Sequence, residues 1–159
     1  MVHMSSQMEN WILGLTNLPI LYPLKLMWNR KDFKSFTLLS GLGICSVMSH
    51  LGECHRKDMQ GVLGLSTLNS KRWHIADKTG TYLLIARLLY LFWKKNEGSF
   101  KSMKNSVYIN NILFILFSLA GVALRISEWC DAKHIYVPLH SVWHISVYPI
   151  MALMYQRLC

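Results

Sequence analysis

The sequence predicts an all-α fold, a polytopic transmembrane helix bundle of about five helices in a single domain spanning residues 1–159. Two observations predict it. Of the 159 residues 52% are hydrophobic and only 16% charged, whereas a soluble domain carries about a quarter charged residues. Apolar runs also recur at helix length, with the charges gathered between them. At ~20 residues per crossing the length leaves almost no room for a separate soluble domain, and large catalytic ectodomains are excluded.

The first helix is read at residues 11–28, apolar apart from Asn17 and Lys25 and interrupted by Pro19 and Pro23; a membrane helix tolerates prolines when neighbours satisfy the freed backbone. The second, 36–51, is short, and Gly41 and Gly43 permit close helix approach. The third is read at 73–93, the fourth at 107–126 and the fifth at 135–155. Connections are short and polar except residues 52–72, whose Gly61 and Gly64 fit a surface loop. No cleavable signal peptide is expected, because the polar N-terminus lacks a basic leader.

Seventeen Lys and Arg stand against eight Asp and Glu. In a soluble protein such a basic excess suggests nucleic acid, but here the charges flank apolar runs and read as orientation signals, so no nucleic-acid partner is expected. With the N-terminus outside, ten of the 17 basic residues collect on the inner side. The positive-inside rule then gives an integral multi-pass protein of the plasma membrane or of the ER and Golgi, its N-terminus lumenal or extracellular and its C-terminus cytosolic. Arg87, near the inner end of the third helix, is expected to snorkel to that surface.

The polar residues inside these runs carry the chemistry. His140 and His144 are four apart, which puts both imidazoles on one helix face; the alternative is two interfacial histidines bonded to backbone. Ser46 and His50 repeat the spacing, although a helical serine often bonds only the preceding turn. Asp77 falls near the start of the third helix, where a carboxylate also serves as a plain cap. Topology joins these signals. The end of the second helix and the starts of the third and fifth lie on one side of a five-helix path, so all five groups converge at one depth.

Three histidines with a fourth position left for water match a catalytic zinc site rather than a closed structural one. The predicted metal ligands are therefore His50, His140 and His144. Asp77 is expected to act as general base and then acid, and Ser46 to orient the water or bond the oxyanion. His55 lies off the face of His50, while His74, His3 and His134 sit at an interface, in the tail and in a loop. None of these four is expected to be a ligand. The cysteines Cys45, Cys54, Cys130 and Cys159 show no C-x-x-C spacing, which argues against a zinc ribbon; a Cys54–Cys130 disulfide across outer loops remains open.

The combination of Ser46-x-x-x-His50, Asp77 at the next helix start and His140-x-x-x-His144 in the last helix resembles the CREST superfamily of membrane hydrolases. Asn17-Leu18-Pro19, the stretch from His50 to Cys54, and the passage from Ser106 through Arg125 to His144 are most similar to the branch that holds the GPI-anchor phospholipase and myomaker. The resemblance implies a zinc held by the same three histidines, with the serine and aspartate beside it. Members have seven helices, so the chain reads as shortened by two, at the basic stretch 94–106.

The function expected is zinc-dependent hydrolysis of a lipid ester or amide, phospholipase-like or ceramidase-like, on a membrane lipid substrate. A non-enzymatic myomaker-like protein with a structural zinc, or an inactive shortened form, are the competing readings. The incomplete bundle is expected to associate with a copy of itself or a longer relative.

Overall fold

The structure is a computed structural model that describes residues 6–53, 61–62, 67–99, 102, 111–130 and 133–158. Among them run six α-helices: α1 (Ser6–Leu15), α2 (Leu21–Asn29), α3 (Phe33–Leu51), α4 (Thr67–Lys95), α5 (Asn111–Trp129) and α6 (Lys133–Leu158), with a 3-10 turn at Leu18–Ile20 between α1 and α2.

The all-α reading holds, but the transmembrane bundle does not: among the described residues no helix is long and apolar enough to cross a membrane. The reason lies in how polar groups are spread along the helices. The 29-residue α4 carries Lys71, Arg72, Asp77, Lys78, Arg87, Lys94 and Lys95, and α6 carries His140, Ser141, His144, Ser146, Gln156 and Arg157. The multi-pass location in the plasma membrane or the ER and Golgi falls with it, as does the lumenal N-terminus. The high apolar content is divided between the core and the outer surface, where Tyr82 and Trp129 are 71% and 76% exposed.

The first predicted helix is in fact two. Pro19 sits in the first positions of the 3-10 turn, where its missing N–H costs least, so the chain bends between α1 and α2. The carbonyls left over at the end of α1 are met by side chains: Asn17 Nδ2 donates to Leu13 O at 3.2 Å and to Gly14 O at 3.4 Å, and Thr16 Oγ1 to Leu13 O at 2.7 Å. Helix α4 begins at Thr67, six residues before the predicted start, and the predicted fourth helix is described only from Asn111.

Helix α3 packs against α4 and α5 against α6, while α1 and α2 lie across α3 and α6. Close approach is built in at Gly43, where an added Cβ would stand 2.6 Å from Ile20 Cδ1. The main core joins Ile20, Met27, Leu39, Leu42, Leu84, Leu88, Val147, Tyr148, Met151 and Tyr155, and a smaller cluster joins Leu13, Tyr136 and Val137. The polar site lies among the residues that connect these two clusters on α6. Full burial of a side chain such as Leu39 contributes ~2 kcal/mol.

At the opposite end of α3, Asp32 caps the helix. It accepts from Ser35 N at 3.2 Å and Ser35 Oγ at 2.6 Å, and also from Arg87 Nη2 at 3.0 Å and the Tyr155 hydroxyl at 3.1 Å. Arg87 Nε donates to Ser35 Oγ at 3.1 Å. Arg87 therefore does not snorkel to a lipid surface; it is pinned inside a network that ties α4 and α6 to the start of α3. Burial pushes the Asp32 carboxyl up, but the Ser35, Tyr155 and Arg87 donors outweigh it and hold the pKa below its usual value. The preceding turn passes through Lys31 at φ 57°, a left-handed conformation that a Cβ disfavours.

Candidate metal centre

Helices α3 and α6 bring three imidazoles together. His50 lies in the last turn of α3, and His140 and His144 occupy successive turns of α6, one above the other on its inner face. Their ring centroids are 4.7 Å apart for His50–His140, 4.9 Å for His50–His144 and 4.8 Å for His140–His144. Each side chain is buried, at 3%, 8% and 3% exposure in order. One nitrogen from each lies within 4.8 Å of the other two, so the group could hold a metal ion.

The surrounding hydrogen bonds assign the tautomers. His50 Nδ1 stands 3.2 Å from Glu53 Oε2, and an ionised carboxylate only accepts, so the ring nitrogen donates. His140 Nδ1 is 3.1 Å from Ser127 Oγ, whose own proton goes to Leu124 O at 2.7 Å. His144 Nδ1 is 3.0 Å from Thr16 Oγ1, whose proton is already given to Leu13 O. The amide of Asn17, 3.3 Å from His144 Nδ1, spends its two protons on the end of α1. All three rings are thus held through Nδ1–H, as metal-bound histidines characteristically are. Among the described residues, His50 Nε2 is fully buried with no hydrogen-bond partner. Burial, with the nearby His50 ring adding to it, holds the His144 pKa well below the usual imidazole value, which keeps the ring neutral. A neutral imidazole is the form that ligates.

Asp77 and Ser46 reach the same place. The Ser46 hydroxyl lies beside both the Asp77 carboxyl and the Tyr148 hydroxyl, and His50 lies close enough to Asp77 to act on its charge. Asp77 sits ten residues into α4 and is therefore no helix cap. Burial raises its pKa from 3.8 to about 6; His50, Ser46 and Lys78 pull the other way, and Glu128 adds to the rise. Burial also raises the Tyr148 pKa above its usual value, so this hydroxyl stays protonated, and it donates to Asn17 Oδ1 at 2.7 Å. At the rim, Lys78 Nζ is 3.6 Å and Arg125 Nη1 3.1 Å from the Glu128 carboxylate.

All five residues singled out from the sequence are therefore in one cluster. Among the histidines set aside, His134 is exposed, and His74 is half-buried with Nδ1 3.4 Å from Ser49 Oγ. His3, His55 and Cys54, with the Cys54–Cys130 pairing, lie outside the described residues. Sequence reasoning missed Glu53, Ser127, Thr16, Tyr136 and Tyr148. A signal existed for two of them: Tyr136, His140, His144 and Tyr148 continue the same four-residue spacing along α6.

The fold and the site define a class: an all-helical protein with a buried tri-histidine centre able to hold a metal ion, flanked by a carboxyl and a hydroxyl. No family model and no solved structure matches the chain. It is 30% identical over 148 residues to the uncharacterized protein L282 of Acanthamoeba polyphaga mimivirus, with 91% of this chain and 94% of that protein aligned. The chain belongs to the same family as that viral protein.

Proposed function

We propose that the protein is a zinc-dependent hydrolase of an ester or amide bond in a lipid. The observation that carries this reading is the buried His50 Nε2, without a hydrogen-bond partner among the described residues, facing His140 and His144, with Ser46 and Asp77 beside it. Three buried imidazoles from two helices are a ligand set that suits zinc in a catalytic setting. A zinc ion there would supply Lewis acidity toward a carbonyl oxygen and make a water more acidic.

The rest is work for the chain's own residues. Asp77, with a pKa of about 6, is suited to take a proton from the attacking water and return it to the leaving group near neutral pH. The Ser46 hydroxyl stands beside that carboxyl, placed to orient it. Tyr148 serves as a fixed hydrogen-bond donor, since its raised pKa removes it as a base.

A lipid substrate is favoured by a cavity of about 450 Å³ between α1–α2 and α3, with an almost entirely apolar lining that includes Trp11, Leu18, Ile44 and Val47. Asn17 belongs to that lining and also touches His144 and Tyr148, so the apolar cavity and the polar centre share a wall. The likeness of the Ser, His and Asp pattern to the CREST superfamily supports the same chemistry.

The test pairs elemental analysis with hydrolysis of a panel of acyl lipids. The expected result is about one zinc per chain, lost in His140→Ala, with turnover abolished but zinc retained in Asp77→Asn. Zinc-loaded wild type that hydrolyses no lipid in the panel would refute the enzymatic reading and leave a structural ion.

A further inference from the structure

The three histidines are not backed alike. His140 and His144 donate to hydroxyl groups, Ser127 and Thr16, whereas His50 donates to a carboxylate. That carboxylate, Glu53, is only 3% exposed, and an anion so deeply buried is stable only when paired and hydrogen-bonded. Its Oε2 receives His50 Nδ1 at 3.2 Å and the Tyr136 hydroxyl at 2.8 Å. Its backbone is secured as well. Asn10 Nδ2 donates to Glu53 O at 2.9 Å, and Glu53 N donates to His50 O at 3.2 Å. Groups from α3 and α6 therefore fix the side chain against one ring while α1 holds its backbone, and Tyr136 packs its own ring 5.0 Å from His140.

We propose that Glu53 is the positioning residue of the metal centre, a role that rests on the tri-histidine cluster binding a divalent ion. The carboxylate holds the His50 proton on Nδ1 and turns Nε2 toward His140 and His144. It makes the imidazole a stronger donor to the metal and keeps a negative charge within one ring of the dication. Ser127 and Thr16 fix ring orientation but bring no charge, so Glu53 sets the affinity and the other two tune it.

The experiment uses the full chain. Zinc affinity is measured by competition with a chromophoric chelator, the visible spectrum is recorded with cobalt(II) in place of zinc, and thermal melting is recorded for the metal-stripped proteins. Glu53→Gln preserves shape and removes the charge, and it is expected to lose about 10- to 100-fold in zinc affinity and to shift the cobalt bands. Ser127→Ala is expected to lose less. Should Glu53→Gln fail to fold, Tyr136→Phe keeps the carboxylate but frees one of its anchors, and a several-fold loss of affinity with an unchanged metal-free melt supports the same role. Wild-type affinity and cobalt spectrum in a folded Glu53→Gln, or in Tyr136→Phe where that is the variant measured, overturn the positioning role while leaving the metal centre standing. A wild type that takes up neither zinc nor cobalt overturns the centre itself.

Discussion

Replacing Asp77 by Asn is expected to stabilise the metal-free protein at neutral pH. The native carboxyl has a pKa of about 6 against an ordinary 3.8, chiefly because it is buried. The native state therefore holds the Asp77 proton more tightly than the unfolded chain does. That contribution is complete below pH 3.8 and is lost as pH rises through 6. A difference of about two pH units at 1.36 kcal/mol each puts the cost of the ionised group near 3 kcal/mol at pH 7.5. Asp77 is not wholly shielded from solvent, and screening reduces the expected effect to about 1–3 kcal/mol. The amide introduced by Asp77→Asn keeps the shape of the carboxyl without the charge. The assay is urea unfolding of both metal-stripped proteins between pH 4 and 7.5. The variant should gain on the wild type as pH rises, and added zinc should narrow the gap because a nearby dication favours the ionised carboxyl. A stability difference that is flat with pH, or a wild type more stable than the variant at pH 7.5, would refute the reasoning.

Arg87→Met removes one of the donors that hold Asp32 below its usual pKa. It should cost about 1–3 kcal/mol at pH 7, read as a lower urea midpoint. Because a depressed carboxyl stabilises above 3.8 and stops doing so as pH falls through its native value, the gap between variant and wild type should shrink in acid. Lys31→Gly relieves the left-handed φ of 57° in the turn before α3, and after the extra freedom it gives the unfolded chain it should gain up to about 1 kcal/mol, measured by the same unfolding.

The candidate site was legible where one helix sets the spacing. A separation of four residues puts side chains on one face whatever surrounds the helix, so the pairs Ser46–His50 and His140–His144 could be read directly, and the order of the helices brought Asp77 to them. The break at Pro19 is visible as an interruption, though the sequence reading keeps residues 11–28 as one helix. The third helix was started too late because Lys71 and Arg72 look like loop residues beside the apolar stretch that follows, and this made Asp77 look like a cap. The membrane reading failed for a related reason. Composition sums over the chain, whereas spanning requires each helix to be apolar along its own length, and α3, α4 and α6 each spend part of that length on polar residues.

The sequence by itself determined that the chain is helical and which five residues share chemistry, because helix geometry and short-range spacing are local properties. Only the tertiary structure decided what backs each ring. Glu53 lies three residues from His50 but is held by Tyr136, 83 positions away, and His144 is set by Thr16, 128 positions away. A hydrogen bond formed across helices leaves no period in the sequence; it exists only once packing has brought its two partners within about 3 Å and excluded the water that would otherwise satisfy them both.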